Sequence, residues 1–182
     1  MFARTERLLL RPGWIEDAAA LVDAIADESI TSNLKTAPWP QDRATAERVL
    51  TDAVDSSLPP LLIQLRTGQS PTLIGGACLR DRNDGSARLD IWIAPRWWGQ
   101  GYATEAGRAL VDMARYATGL LTLSAVITDG NSAAIRLNGK LGFVPAWQIT
   151  RNDGLPGAAK PSTMFTRRLD RDFLMERPAI AA

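Results

Sequence analysis

Residues 5–11 (TERLLLR) open the chain with a polar start and an apolar run, stopped at Pro12 and Gly13, the pattern of a strand closed by a turn. The period then changes. Apolar residues at 15, 18, 19, 21, 22, 25 and 26 make one helical face, with Glu16 and Asp17 in the first turn. Residues 31–41 (TSNLKTAPWPQ) set two prolines around Trp39 and read as a loop. Asp42 is a suitable cap for a second helix over about 43–54. Strands follow at 61–66 and 73–80, and the run Asn83-Asp84-Gly85-Ser86 predicts a hairpin turn. The next strand, 87–94 (ARLDIWIA), ends at Pro95. Residues 99–116 form a helix with a glycine-rich entrance, 120–128 a strand and 132–141 a short helix ending at Gly142. A last pair of strands, 143–150 and 163–169, brackets a loop at 152–161, and the tail from 171 is expected to fray. The expected class is α+β, with about seven strands and four helices in one unit. We expect a single domain over 1–182, with its core at 5–169 and a tail at 170–182.

Composition narrows the chemistry. The 182 residues are 46% hydrophobic and 23% charged, an ordinary globular mix. Twenty-one Lys plus Arg against 20 Asp plus Glu leave a net charge of +1, so there is no global field for nucleic acid or an anionic membrane. There is no His, which excludes a Ser-His-Asp triad and any His-ligated metal, and no metal is expected. A single cysteine, Cys78, excludes an intrachain disulfide, and its apolar strand suggests a core position. No apolar run is long enough to span a membrane, and a cytoplasmic location is the default expectation.

The segment richest in chemistry is the strand ending at Pro95 followed by Gly99-Gln100-Gly101-Tyr102-Ala103-Thr104 and a helix. Small residues at a helix entrance let backbone N–H groups approach a phosphate, and the helix dipole adds positive potential. The Walker pattern is absent, and Thr104 stands where the dinucleotide fingerprint needs its third glycine. The glycines alone are equally compatible with a plain tight turn. A second segment, 131–143 (NSAAIRLNGKLGF), begins with Asn131, a good helix cap.

Together the two segments resemble the GNAT N-acetyltransferase superfamily. WGQGYATEA (98–106) looks like its acetyl-CoA pyrophosphate loop, and NSAAIRLNGKLGF like its second core motif. TERLLLR, NLKTAPWP (33–40) and DIWIAP (90–95) look like the RimJ/RimL-type branch, and the resemblance covers roughly residues 5–169. It implies the GNAT acyl-CoA N-acyltransferase fold, with a mixed, mostly antiparallel central sheet. It implies acetyl-CoA as co-substrate and transfer to a primary amine: a protein N-terminal α-amine, an amino acid or a small amine. Carried over by residue, Ile91, Trp92 and Ile93 would offer backbone groups to the pantetheine arm and acetyl carbonyl. Gly99, Gln100, Gly101, Tyr102, Ala103 and Thr104 would cradle the pyrophosphate, and Asn131 would hydrogen-bond the pantetheine side. The wedge for the cofactor would open where strand 87–94 parts from strand 120–128. Trp39 falls in the loop where the family places its acceptor.

The resemblance leaves the acid and base open. Some relatives protonate the thiolate with a Tyr; that position is Asn138, a hydrogen-bond donor but a poor acid. Some carry a base Glu on the strand before Asn131; that position is Val126. Asp90, the acid on the cofactor strand, is a candidate water-mediated base or holder of a substrate cation, or else a charge paired with an Arg such as Arg88. At pH 7 an α-amine is ~10–20% neutral and a lysine ~0.04%, deprotonation penalties of ~1 and ~4.6 kcal/mol, so a site without an evident base favours an α-amine or another low-pKa amine. The alternatives are a non-catalytic acyl-CoA-binding or regulatory protein, or a nucleotide binder using the same glycine turn. The family frequently forms homodimers, and six Trp leave room for an aromatic interface.

Overall fold

The computed structural model describes residues 2–31, 40, 42–52, 57–66, 70–149 and 161–169. Among these, the strands are β1 (Ala3–Arg4), β2 (Leu8–Pro12), β3 (Leu61–Leu65), β4 (Thr72–Asp81), β5 (Ser86–Ile93), β6 (Thr122–Thr128), β7 (Val144–Ile149) and β8 (Ser162–Arg168). The helices are α1 (Ala18–Ile25), α2 (Glu28–Thr31), α3 (Arg43–Asp52), α4 (Tyr102–Ala117) and α5 (Ser132–Lys140), with 3-10 turns at Ile15–Asp17 and Pro95–Trp97. The eight strands form one sheet in the order β1-β2-β3-β4-β5-β6-β8-β7. Every described pairing is antiparallel except β5 with β6.

The local signals act as their chemistry dictates. Asp42 caps α3, accepting from the Thr45 backbone N–H and hydroxyl at 2.8 Å each. The β4–β5 hairpin turns on Asn83 and Gly85, both at positive φ, while Asp84 accepts from the Ser86 N–H at 2.9 Å. Two elements exceed the sequence expectation. β1 has two residues, too short for alternation to register, and exists because Ala3 and Arg4 pair with Leu10 and Leu9. α2 is a single turn whose entrance is capped by Asp27, accepting from the Ser29 N–H at 2.9 Å. The stripe begun at Ile15 also divides. Ile15 lies exposed in a 3-10 turn, and the buried face starts at Ala18 and continues through Leu21, Ala24 and Ile25.

The sheet buries a core on each face. One joins Ala77, Leu79, Ala87, Leu89 and Ile93 to Ala106, Leu110, Val111 and Ala114 of α4. The other packs Cys78, Trp92 and Leu62 beneath α1 and α3. α4 has a clean amphipathic reason for its place, because its buried residues recur every three to four positions along its length.

Candidate active site

The site begins with a parting of strands. β5 and β6 pair over three rungs, Ser86↔Thr122, Ala87↔Leu123 and Arg88↔Ser124, and pair no further. β6 stays hydrogen-bonded to β8 along its whole length, and β5 to β4 as far as Ile93. Beyond Arg88 one edge of β5 is therefore open. The pleat decides which backbone groups line it. The Ala94 N–H donates to Ile74 on β4 at 2.8 Å, whereas the Ala87 carbonyl accepts from Ser124 on β6 at 3.4 Å. By alternation, Ile91 and Ile93 turn their backbone groups to the opening, and Trp92 turns its groups toward β4. The Trp98 indole N–H donates to the Ile93 carbonyl at 2.5 Å, fastening the end of β5 to the loop that follows.

That loop is the glycine entrance of α4. Gly99 and Gly101 hold φ of +75° and +82°, left-handed conformations in which any other residue is strained. The N–H groups of Thr104 and Glu105 both return to the Gly101 carbonyl, at 3.1 and 3.0 Å. Among the described residues, the N–H groups of Gly99, Gln100, Gly101, Tyr102 and Ala103 have no acceptor. A row of free donors at the start of a 16-residue helix is suited to receive an anion, and it follows directly on the open edge of β5. Tyr102 is buried beneath it, edge-on to Trp97 with ring centroids 6.3 Å apart.

A clamp from the other end of the chain holds the cradle. Glu105, in the first turn of α4, accepts from the Thr5 hydroxyl at 2.5 Å, the Arg7 backbone N–H at 2.9 Å and Arg7 Nε at 2.7 Å. Arg7 Nη1 donates to the Gln100 carbonyl at 3.0 Å, and its guanidinium stacks 4.4 Å from the Tyr102 ring centre. Burial pushes the Glu105 carboxyl up, but the hydrogen bonds from Thr5 and Arg7 and the Arg7 charge outweigh it and hold it below its ordinary value. Sequence reading quotes the strings containing both residues yet misses their contact, because 98 residues separate them. Arg96 is an exposed cation in the turn just before the loop.

Gly107 sets how closely α4 approaches its neighbours. A Cβ there would stand 2.6 Å from Leu141 Cδ1 and 3.2 Å from Ile91 Cδ1. Gly107 is thus where α4, the residue after α5 and the open strand converge.

The remaining candidates divide. Asp90 lies on the face of Cys78, opposite α4, and both its oxygens are in ion pairs: Oδ2 with Arg80 Nη2 at 2.6 Å and Oδ1 with Arg88 Nη2 at 3.0 Å. Arg80 was not anticipated. Asn131 caps α5, its side chain accepting from the Ala134 N–H at 3.0 Å. Asn138 is buried; its amide nitrogen donates to the Ala134 carbonyl at 3.0 Å, which leaves the side-chain oxygen buried without a partner. Burial pushes the Cys78 thiol up to about 12, so it is no thiolate nucleophile. Trp39 lies outside the described residues. Among the described residues no group of acids or thiols could hold a metal, and no helix is long and apolar enough to cross a membrane.

The α+β sheet thus parts between two parallel strands beside a helix entrance whose N–H groups are free, an open strand edge next to an anion site. The chain belongs to the GNAT acetyltransferase family: a family model described as an acetyltransferase (GNAT) domain matches residues 7–144. It is an acetyl-CoA-dependent N-acetyltransferase. It is 27% identical over 143 residues, 76% of this chain and 80% of the relative, to an uncharacterised N-acetyltransferase p20 of Bacillus licheniformis. Its fold is similar to RimL, a ribosomal L7/L12 α-N-protein acetyltransferase in complex with coenzyme A. That match has a TM-score of 0.80 and 14% identity, covering 94% of this chain and 100% of that one. It is similar also to a spermidine N-acetyltransferase of Vibrio cholerae in complex with CoA and spermine, with a TM-score of 0.77 and 18% identity, covering 93% and 99%.

Proposed function

We propose that the protein moves the acetyl group of acetyl-CoA to an α-amine, or another amine of low pKa, by direct attack on the thioester. The observation that carries this reading is the open edge of β5 leading directly from the free N–H groups at the entrance of α4. A single extended ligand with a pyrophosphate at one end and an amide-containing arm at the other fits both features. In this reading residues 99–104 take the pyrophosphate, and the backbone of Ile91 and Ile93 takes the arm and the acetyl carbonyl. Asn131, with its oxygen engaged in the cap, keeps an amide N–H₂ for the same arm.

The chemistry asks little of the side chains. The amine nitrogen bonds to the acetyl carbon, the carbon–sulfur bond breaks, and the sulfur leaves as coenzyme A thiolate. The amine's proton goes to water. An acyl-enzyme is not needed, which suits a chain without His whose thiol is buried. With both its oxygens held by arginines, Asp90 is not poised as a base, and the amine that is already partly neutral at pH 7 is the favoured nucleophile. Trp39 is retained as a contact for the acceptor.

Calorimetric titration with acetyl-CoA, with dephospho-CoA, ATP and NAD as controls, tests the cofactor half. Micromolar binding of acetyl-CoA against none for ATP and NAD is expected. A panel of α-amine peptides, amino acids, lysine side chains and small amines then tests the acceptor half. A lysine side chain as the best acceptor would overturn it.

A further inference from the structure

A groove of about 1150 Å³ starts at Gly101 and Thr104, in the entrance of α4, and runs the length of that helix to Ala117. Its lining comes from residues 3–7, from one face of α4 and from Lys140, the last residue of α5. No residue of β5 is among those lining it. The charges on it are uneven. Arg7 and Glu105 are spent on each other in an ion pair. Arg4, Arg108 and Lys140 are exposed and make no ion pair among the described residues. Glu6 and Asp112 are the other acids of the lining, so three uncommitted cations stand against two carboxylates. Arg108 and Asp112 follow Thr104 by one and two helical turns, rises of about 6 and about 12 Å. Helical side chains lean toward the N-terminus, which carries the Arg108 guanidinium back toward the glycine loop.

Coenzyme A carries one phosphate beyond its pyrophosphate, on the 3′ oxygen of the ribose, a single sugar away. With the arm along β5 and the pyrophosphate at residues 99–104, the nucleotide end leaves the loop on a side that β5 does not occupy. The groove opens there. We infer that it takes the 3′-phosphate of the cofactor, with Arg108 as the principal partner and Arg4 and Lys140 adding charge. This rests on the cofactor placement proposed above. Arg108 is suited to the part because a planar guanidinium can meet a phosphate with two parallel hydrogen bonds, and here no carboxylate holds it. Asp112, a turn farther on, repels a dianion and confines it to the end of the groove nearest the loop. The chain therefore discriminates coenzyme A from the same molecule without its 3′-phosphate.

Calorimetric titration with coenzyme A and with dephospho-CoA, which lacks only that phosphate, tests the assignment. Coenzyme A is expected to bind the native chain at least about tenfold more tightly. That ratio should shrink as salt is raised, because the cations are exposed. Arg108→Gln should bring it to about threefold or less while leaving the Kd of dephospho-CoA within about twofold. Lys140→Gln should lower it by a smaller factor, and Asp112→Asn should raise it. Arg96→Gln removes an exposed cation that lies outside the groove and should leave the ratio unchanged. Equal binding of the two ligands by the native chain overturns the inference while leaving the cofactor reading intact. So does an Arg108→Gln protein that keeps the native ratio or weakens both ligands alike, and so does a ratio abolished by Arg96→Gln. Binding of neither ligand overturns the cofactor reading and the inference with it.

Discussion

Glu105→Ala cuts the connection between the first strands and the loop proposed to cradle the cofactor, and its size can be worked from the contacts. The carboxylate accepts from the Thr5 hydroxyl, the Arg7 backbone N–H and Arg7 Nε. The first two are worth about 0.5–1.5 kcal/mol each. The ion pair with Arg7, whose side chain is 41% exposed, is screened to about 0–1 kcal/mol. The sum is about 1–4 kcal/mol of stability, a fall in melting temperature of about 2–16 °C for a chain of this length. The same cut frees Arg7 from its alignment to the Gln100 carbonyl. If one residue of the cradle must be re-ordered on binding, the cost is about 1–2 kcal/mol, or about 5–30-fold in the Kd for acetyl-CoA. Urea unfolding and calorimetry read the two effects separately. The pH dependence has a definite sign, because Glu105 is held below its ordinary value. Its contribution is complete above the unfolded carboxyl range, near 4.3, and disappears as pH falls through the lower folded value. The stability gap between the native chain and Glu105→Gln should therefore narrow below about pH 4. A Glu105→Ala protein within about 0.5 kcal/mol of native stability, with unchanged Kd, would refute the clamp.

Three further outcomes follow from other sites. Gly107→Ala should destabilise by about 1–3 kcal/mol in urea unfolding, from a methyl 2.6 Å from Leu141, and pairing it with Leu141→Val should recover part of the loss. Cys78 should resist thiol reagents at pH 8 until the protein unfolds, since burial pushes its thiol to about 12, and Cys78→Ala should keep acetyl transfer within about twofold. Asn138→Leu removes a buried oxygen without a partner and should be neutral or stabilising by up to about 1 kcal/mol in thermal unfolding. A loss in kcat above about tenfold for Asn138→Leu, with stability intact, would instead give the amide a part in the reaction.

What the sequence by itself determined is whatever a few neighbouring residues can decide. The α4 stripe, the Asp42 cap, the Asn83–Ser86 hairpin and the glycine entrance are all local: a period, a capping oxygen, a residue that tolerates positive φ. The family resemblance rests on the same kind of contiguous string, and so did the expectation that strands 87–94 and 120–128 part. Local reading failed where burial was needed as evidence. Ile15 has the right period but lies outside the buried face, and β1 is too short to have a period at all.

Tertiary structure alone decided which charges meet. Glu105 and Arg7 lie 98 positions apart and come together because β2 and α4 pack on one another. Asp90 has two arginines on it because hairpin register sets Arg80 opposite Arg88 and Cys78 opposite Asp90. The pleat, counted from the hydrogen bond of Ala94 to β4, turns Ile91 and Ile93 to the opening and Trp92 away from it. Each of these depends on register between distant segments. A one-residue slip would reverse every face, and nothing in a short stretch of chain records which register the whole sheet will adopt.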